Sequence, residues 1–137
     1  MKKAPHLYPI LVLEDDLEVA AKLLQAFHRM EPYLAPYDLD VTLLSTCNSV
    51  QRLVNEVSDR HYDVIILDRD CKAAGSFHVL DFDRFGKENI ISISSTPEWN
   101  RSAQAQGIPH IIPKSFNQLD KFARDVAEKV LEILKSK

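Results

Sequence analysis

The sequence is poor in the residues whose abundance marks fibrous and disordered proteins. It holds only three glycines and seven prolines in 137 residues, while 45% of its residues are hydrophobic. Collagen-like, low-complexity and strongly disordered chains are therefore excluded, because this much apolar surface can offset the entropy that is lost on folding. A chain of this length matches one domain and is too short to divide comfortably into two.

The sequence also lacks the features that direct proteins to nucleic acid, membranes or the secretory pathway. It has 17 lysines and arginines and 20 acidic residues, a net charge of −3, so no strong basic field indicates nucleic acid. The longest apolar runs are about four residues, whereas a membrane-spanning helix needs roughly 20. The N-terminal lysines are followed by His6 and Tyr8 rather than by a long apolar region, which argues against a signal peptide. Two cysteines, Cys47 and Cys71, cannot form a disulfide framework and predict a reducing, cytoplasmic location.

Apolar runs and helical stripes alternate along the chain. Short apolar runs predict strands over residues 10–13, 39–43, 64–67, 90–93 and 111–112. Apolar residues at spacings of three and four predict helices over residues 17–28, 50–57, 79–85, 97–107 and 117–136. The predicted N-cap residues are Asp16 for the first helix, Asn48 or Ser49 for the second, and Thr96, followed by Pro97, for the fourth.

This order of elements predicts an α/β fold, a flavodoxin-like (βα)5 doubly wound sandwich. Helices between consecutive strands indicate a five-stranded parallel sheet that is covered on both faces. Right-handed crossovers favour the strand order 2-1-3-4-5. That order places the fifth strand at an edge, where Pro109 and Pro113 are tolerated although they cannot donate to a ladder. Ligands of such sheets bind at the carboxyl ends of the strands, near the first and third.

The residues at these carboxyl ends are polar, and most of them are charged. They are carboxylates, a hydroxyl and an ammonium: Glu14, Asp15, Asp68, Asp70, Ser94 and Lys114. Carboxylates that are brought together repel each other unless a cation lies among them, and oxygen ligands suit Mg²⁺. A lysine opposite a metal and a carboxylate suits a phosphoryl group between them. In such a site Asp68 is the candidate nucleophile, which would take the phosphoryl group as an acyl phosphate.

These motifs resemble the receiver domain of two-component response regulators, and the resemblance covers essentially the whole chain. The matching residues are the pair Glu14-Asp15, then Asp68, Ser94 before the small Ser95, and Lys114. The resemblance implies that Asp68 is the phosphoacceptor and that Asp15 is the main direct Mg²⁺ ligand, with Glu14 acting largely through water. It also implies that the backbone carbonyl of Asp70 completes the metal ligands. Ser94 would be the switch hydroxyl and Lys114 the ion-pair partner of the phosphoryl group; Mn²⁺ could replace Mg²⁺.

The resemblance further implies a biological role for the chain. Residues 1–137 would form a single receiver domain, with a short leader over residues 1–8, a final helix over residues 117–136 and no output domain. A histidine kinase or a histidine phosphotransfer protein would supply the phosphoryl group, and the domain would signal through contacts with another protein. It would act as a switch in the cytoplasm, without nucleic acid or membrane, as a monomer or a phosphorylation-dependent dimer. It would not be an enzyme in the usual sense, because it would catalyse only its own phosphorylation and dephosphorylation.

Three residues depart from the pattern of the family. Lys72 stands where members usually carry a proline, Ile111 stands where they carry the switch aromatic, and Ser115 replaces the proline that follows the lysine. A cis bond before Ser115 would cost about 2.5–4 kcal/mol, so this bond is either trans or strained. These departures leave the phosphorylation chemistry intact. They do not support the conformational relay that is standard in the family, nor the output surface that depends on it.

Two other functions compete with this prediction. The first is a receiver-like scaffold that binds a partner without being phosphorylated. The second is a phosphatase, because Asp68-Arg69-Asp70 after an apolar strand also resembles the nucleophile motif of haloacid dehalogenase-like enzymes. That family carries its last acidic pair after the lysine, whereas the pair Glu14-Asp15 comes first here.

The roles of two residues stay open. The side chain of Asp70 either influences an attacking water or solvates the loop. Trp99 either anchors a partner or packs over the sheet.

Overall fold

The architecture is a parallel sheet with helices on both faces. A computed structural model describes residues 6–71 and 75–137, and at Asp70 and Cys71 it describes the backbone. The strands are β1 (Leu7–Leu13), β2 (Asp38–Leu44), β3 (Val64–Asp68), β4 (Ile90–Ser94) and β5 (His110–Pro113). They pair in parallel in the order β2-β1-β3-β4-β5. The predicted flavodoxin-like fold and its strand order are therefore confirmed.

The helices differ widely in length. They are α1 (Leu17–Met30), α2 (Asn48–Val50, continued by a π-helical turn over Gln51–Asn55), α3 (Phe82–Phe85), α4 (Pro97–Ala105) and α5 (Leu119–Lys135). Short 3₁₀ turns lie at Glu31–Leu34, Phe77–Val79, Lys87–Asn89 and Phe116–Gln118. After β3, Asp70–Cys71 pairs with Gly75–Ser76 in an antiparallel ribbon. Within the described parts of the chain, no helix is long and apolar enough to cross a membrane.

The central strands β1 and β3 are buried on both faces, as their continuous apolar runs predict. Along β1, Ile10 and Val12 pack under α1 and α5, while Leu11 and Leu13 pack on the opposite face with residues of α2 and α3. A fully buried side chain of this kind contributes roughly 1.5–3 kcal/mol of transfer free energy. This packing holds the carboxyl ends of β1 and β3 next to each other.

The helix ends agree only partly with the sequence predictions. Asp16 caps α1 as predicted: its Oδ1 accepts hydrogen bonds from the backbone N–H of Glu18 at 2.9 Å and of Val19 at 3.2 Å. The cap predicted for α2 is wrong, because Cys47 occupies that position and makes no side-chain capping bond. Thr96 precedes α4 as predicted, but its side chain also makes no capping bond.

The short helix predicted over residues 79–85 is present as α3 over Phe82–Phe85, preceded by the 3₁₀ turn at Phe77–Val79. Arg84 of α3 holds it to the end of α2. The guanidinium donates to the carbonyl oxygens of Asn55 at 2.6 Å, Val54 at 3.0 Å and Arg60 at 3.1 Å. It also donates to the carbonyl oxygen of Val57. One side chain thus binds four carbonyl oxygens in the last turn of α2 and in the segment that follows it.

We expect the Arg84→Met substitution to lower the free energy of unfolding by about 2 kcal/mol, because charge-assisted hydrogen bonds are lost while the carbonyl groups stay partly buried. Urea unfolding measures this change as a lower midpoint at an unchanged slope. Arg101→Met is the matched control, because among the described residues Arg101 makes an exposed ion pair with Glu98, and its loss should cost less than about 1 kcal/mol. Equal losses in the two variants would contradict a clamp at Arg84.

Candidate functional site

Three carboxylates converge where β1 and β3 end. Leu13 of β1 pairs with Leu67 of β3, so the next residues of the two strands, Glu14 and Asp68, are neighbours. Glu14, Asp15 and Asp68 each place one carboxylate oxygen within 4.8 Å of the others. Glu14 is fully buried and Asp68 is 4% exposed, whereas Asp15 is half-buried. The strand order predicted from the sequence therefore brings these acidic residues together.

Lys114 provides the positive charge of the site. It follows β5, and its Nζ lies 2.7 Å from Glu14 Oε1 and 3.5 Å from Asp68 Oδ2. Its backbone N–H donates to the carbonyl oxygen of Ser94 at 2.9 Å, which fixes the lysine beside the end of β4. One buried ammonium among three carboxylates leaves an excess of negative charge in a region of low dielectric.

The ionisation of these groups reflects that excess. Burial, and then the charge of Glu14, raises the pKa of Asp68 to about 8, although Lys114 opposes the shift. Burial also raises the pKa of Glu14 against the opposing effect of Lys114. Burial would lower the pKa of Lys114, but the carboxylates of Asp68 and Glu14 outweigh it and raise that pKa. The site therefore holds protons near neutral pH unless another cation enters it.

The donor set fits a small divalent cation. Glu14 Oε2 accepts a hydrogen bond from the backbone N–H of Asp16 at 3.0 Å. The other oxygen, Oε1, is buried and, despite its ion pair with Lys114, receives no hydrogen bond of regular geometry from the part of the chain that the structure describes. A buried carboxylate oxygen with unused acceptor capacity, beside Asp15 and Asp68, is the kind of ligand that Mg²⁺ and Mn²⁺ take.

Ser94 ends β4 beside this cluster. Asp68 pairs with Ile93, so Ser94 is the following residue on the strand next to β3. Its Oγ accepts a hydrogen bond from the backbone N–H of Thr96 at 3.0 Å. A hydroxyl that accepts one hydrogen bond still has its own proton to donate. Ser94 can therefore offer a donor at the same end of the sheet as the three carboxylates.

The loop after Asp68 returns on itself. The carbonyl oxygen of Arg69 accepts from Ser76 Oγ at 2.8 Å and from the backbone N–H of Phe77 at 2.9 Å. The Arg69 guanidinium lies 5.7 Å from the centre of the Trp99 ring, so the half-buried Trp99 contacts the loop beside the site. The side chains of Asp70 and Cys71, and the departure from the family at Lys72, lie outside the described residues.

The other two departures lie within the described residues. The peptide bond before Ser115 is trans, because the cis bond described in this structure precedes Pro36. The loop that carries Lys114 therefore needs no cis bond to bring the lysine to the carboxylates.

The second of these departures, Ile111, is half-buried on β5. It lines a groove of about 250 Å³ between α4 and β5.

Sequence reasoning missed one polar residue near the site. Asn100 lies on α4 and is buried, and its amide contacts both Ser92 and Ser94. The pattern of α4 predicted Trp99 and Ala103 as its apolar face; Ala103 is buried, whereas Asn100 takes the neighbouring buried position. The thinness of that apolar face was the one signal in the sequence that polar contacts hold this helix.

Comparisons with known proteins establish the fold. No protein-family model matches the sequence, and no curated protein matches it. The phosphorylated cyanobacterial phytochrome response regulator RcpA is similar with a TM-score of 0.71 at 16% identity, over 90% of this chain and 94% of that chain. The Mn²⁺-bound response regulator Rcp1 gives 0.67 at 14% identity, over 91% and 95%. A receiver domain from Rhodospirillum rubrum gives 0.66 at 12% identity, over 92% and 94%. The chain has the receiver-domain fold, as its sequence resemblance implied.

Proposed function

We propose that this protein is a response regulator receiver domain that accepts a phosphoryl group on Asp68 and uses a divalent cation, Mg²⁺ or Mn²⁺, to do so. The observation that carries the proposal is the convergence of Glu14, Asp15 and Asp68 with Lys114 at the carboxyl ends of the strands. A structural role alone gives little reason to bury the carboxylates of Glu14 and Asp68 beside Asp15, with Lys114 as the ammonium that the described residues place among them, because the arrangement costs stability. A site that binds a cation and an anionic group does need such an arrangement, because the carboxylates bind the cation and the ammonium binds the anion.

In this proposal the cation is held by Glu14, Asp15 and Asp68, together with the backbone carbonyl of Asp70. A bound cation supplies positive charge to the phosphoryl oxygens and favours the ionised form of Asp68. The similarity of the fold to a Mn²⁺-bound response regulator supports a divalent cation. The raised pKa of Asp68 means that cation binding near neutral pH releases a proton from the site.

The transfer needs a nucleophilic oxygen and a good leaving group. A carboxylate oxygen of Asp68 forms a bond to phosphorus while the bond from phosphorus to the donor breaks. With a phosphohistidine donor, the imidazole nitrogen leaves with the electron pair; with acetyl phosphate, acetate leaves. Lys114 and the Ser94 hydroxyl then donate to the phosphoryl oxygens, where negative charge is concentrated.

The partners follow from this chemistry. A histidine kinase or a histidine phosphotransfer protein is the proposed donor, and another protein is the proposed receiver of the signal. The similarity of the fold to the phosphorylated RcpA supports a phosphorylated state. We place the protein in the cytoplasm, where kinases of this kind present their phosphohistidine.

We expect incubation with acetyl phosphate and Mg²⁺ to add the mass of one phosphoryl group to the intact protein. The addition should disappear when EDTA removes the cation, because the nucleophilic carboxylate of Asp68 is then largely protonated and no cation neutralises the phosphoryl oxygens. Intact-mass spectrometry measures both results beside a control receiver domain. If the control is labelled and this protein is not, the interaction scaffold becomes the better interpretation. Sustained release of phosphate from a generic phosphate ester would instead favour a phosphatase.

A further inference from the structure

The attachment of α4 to the sheet depends on polar contacts. Of its nine residues, Asn100 and Ala103 are the buried ones. An alanine buries little apolar surface, so it contributes little to holding the helix. A buried amide is costly unless its donors and acceptor are used. The partners of Asn100 therefore decide how firmly α4 is held beside the site.

The amide of Asn100 bridges two residues of β4. Its Nδ2 donates to the carbonyl oxygen of Ser94 at 3.0 Å, and its Oδ1 accepts from Ser92 Oγ at 3.3 Å. The Ser94 carbonyl also accepts from the backbone N–H of Lys114 at 2.9 Å. A carbonyl oxygen has two lone pairs. Asn100 of α4 and Lys114, which follows β5, together use both acceptor positions of this carbonyl.

These contacts fix Ser94 from two sides. Its carbonyl is held by Asn100 and Lys114, and its hydroxyl oxygen is held by the backbone N–H of Thr96. The group of Ser94 that stays free to rotate and donate is the hydroxyl proton. A donor that is oriented before the reaction stabilises developing charge more effectively than one that must be ordered during it.

We propose that Asn100 is a positioning residue: it holds Ser94 so that the hydroxyl donates to the phosphoryl group on Asp68. The inference rests on the proposed function, because it assigns Asn100 a role in phosphoryl transfer. Asn100 acts through Ser94 and does not itself contact the phosphoryl group. Ser92 supports it by orienting the amide, so that the Nδ2 side points at the Ser94 carbonyl.

A double-mutant cycle on the rate of labelling by acetyl phosphate tests the role of Asn100. We expect Asn100→Ala to slow labelling about tenfold, because a donor that is no longer held in place loses part of its effect. In the Ser94→Ala background the same substitution should change the rate less than about twofold, because the group that it positions is already absent. A loosened fold would slow labelling equally in both backgrounds.

Two further variants complete this experiment. Ser92→Ala removes only the hydrogen bond to Asn100 Oδ1 and should slow labelling about twofold, again only when Ser94 is present. It also decides the question if Asn100→Ala does not fold. Gln104→Ala is the matched control, because Gln104 is an exposed residue one turn along α4, and it should leave the rate unchanged.

The outcomes separate this inference from the proposed function. Slowing by Asn100→Ala that depends on Ser94 supports the positioning role. The positioning role is overturned if the parent protein is labelled and Asn100→Ala is labelled at the same rate. It is also overturned if Asn100→Ala slows labelling equally with and without Ser94. Both results leave the proposed function standing. A parent protein that takes no phosphoryl group overturns the proposed function, and the positioning role with it.

Discussion

The Asp68→Asn variant should be more stable than the parent protein at about pH 8, by up to about 5 kcal/mol, and it should take no phosphoryl group. The gain in stability arises because Asp68, beside Glu14 and away from water, ionises less readily in the folded parent than in the unfolded chain. Asparagine has nearly the same shape and carries no charge. The loss of labelling arises because an amide lacks the nucleophilic carboxylate oxygen. A residue that is kept for function at a cost to stability should show both effects.

The sign of the pH dependence follows from the raised pKa of Asp68. The pKa is about 8 in the folded protein, against 3.8 for the free side chain. Between these values the folded state binds more protons than the unfolded state, so the free energy of unfolding falls as the pH rises. Asp68→Asn removes this fall, so its advantage should be small at about pH 5 and largest at about pH 8.

Urea unfolding of the two proteins in metal-free buffer measures this advantage at each pH. Asp83→Asn is the matched control, because the Asp83 side chain is 91% exposed, and it should change the free energy of unfolding by less than about 0.5 kcal/mol at either pH. An Asp68→Asn advantage that does not grow with pH would contradict the account of the buried carboxylate.

The Lys114→Met variant should lose about 3–5 kcal/mol of stability at about pH 8, because it leaves Glu14 and Asp68 buried without their counter-ion. The loss should become smaller at about pH 5, because Asp68, whose pKa is raised to about 8, is then protonated in the folded protein and leaves less uncompensated charge. Adding Asp68→Asn to Lys114→Met should restore part of the stability, since one of the two uncompensated charges is then absent.

The same unfolding measurement, with Lys121→Met as control, checks the effect of Lys114. Lys121 forms an ion pair with Asp125 at 2.9 Å, and its side chain is 61% exposed, so its loss should cost less than about 1 kcal/mol. If Lys114→Met were as mild as Lys121→Met, or if its cost were the same at both pH values, the buried ion pair would not have the role assigned to it here.

The features that the sequence predicted are those set by local pattern and by topology. Continuous apolar runs identified the buried strands, and the order of elements placed the ends of β1 and β3 side by side. The meeting of Glu14, Asp15 and Asp68 follows from that placement alone. The cap at Asp16 was predictable because capping depends on only three or four consecutive residues.

The features that the sequence did not predict depend on contacts between distant residues. The apolar stripe of α2 gave no sign of its π-helical turn or of its end at Asn55, which Arg84 stabilises from α3. Asn100 was missed because a polar residue on a helix is normally solvated. Its burial is explained only by the carbonyl of Ser94 and the hydroxyl of Ser92 on β4. Side-chain bridges of this kind leave no periodic signal in a sequence.

The most direct test of the proposed function is to locate the phosphoryl group on the labelled protein. Borohydride reduces an aspartyl phosphate to homoserine, which survives digestion and is identified by peptide mass spectrometry. After incubation with acetyl phosphate and Mg²⁺, the account predicts homoserine at position 68 and at no other acidic residue, and none when EDTA is present. Homoserine at another position, or none at position 68 while a control receiver domain is converted, would contradict it.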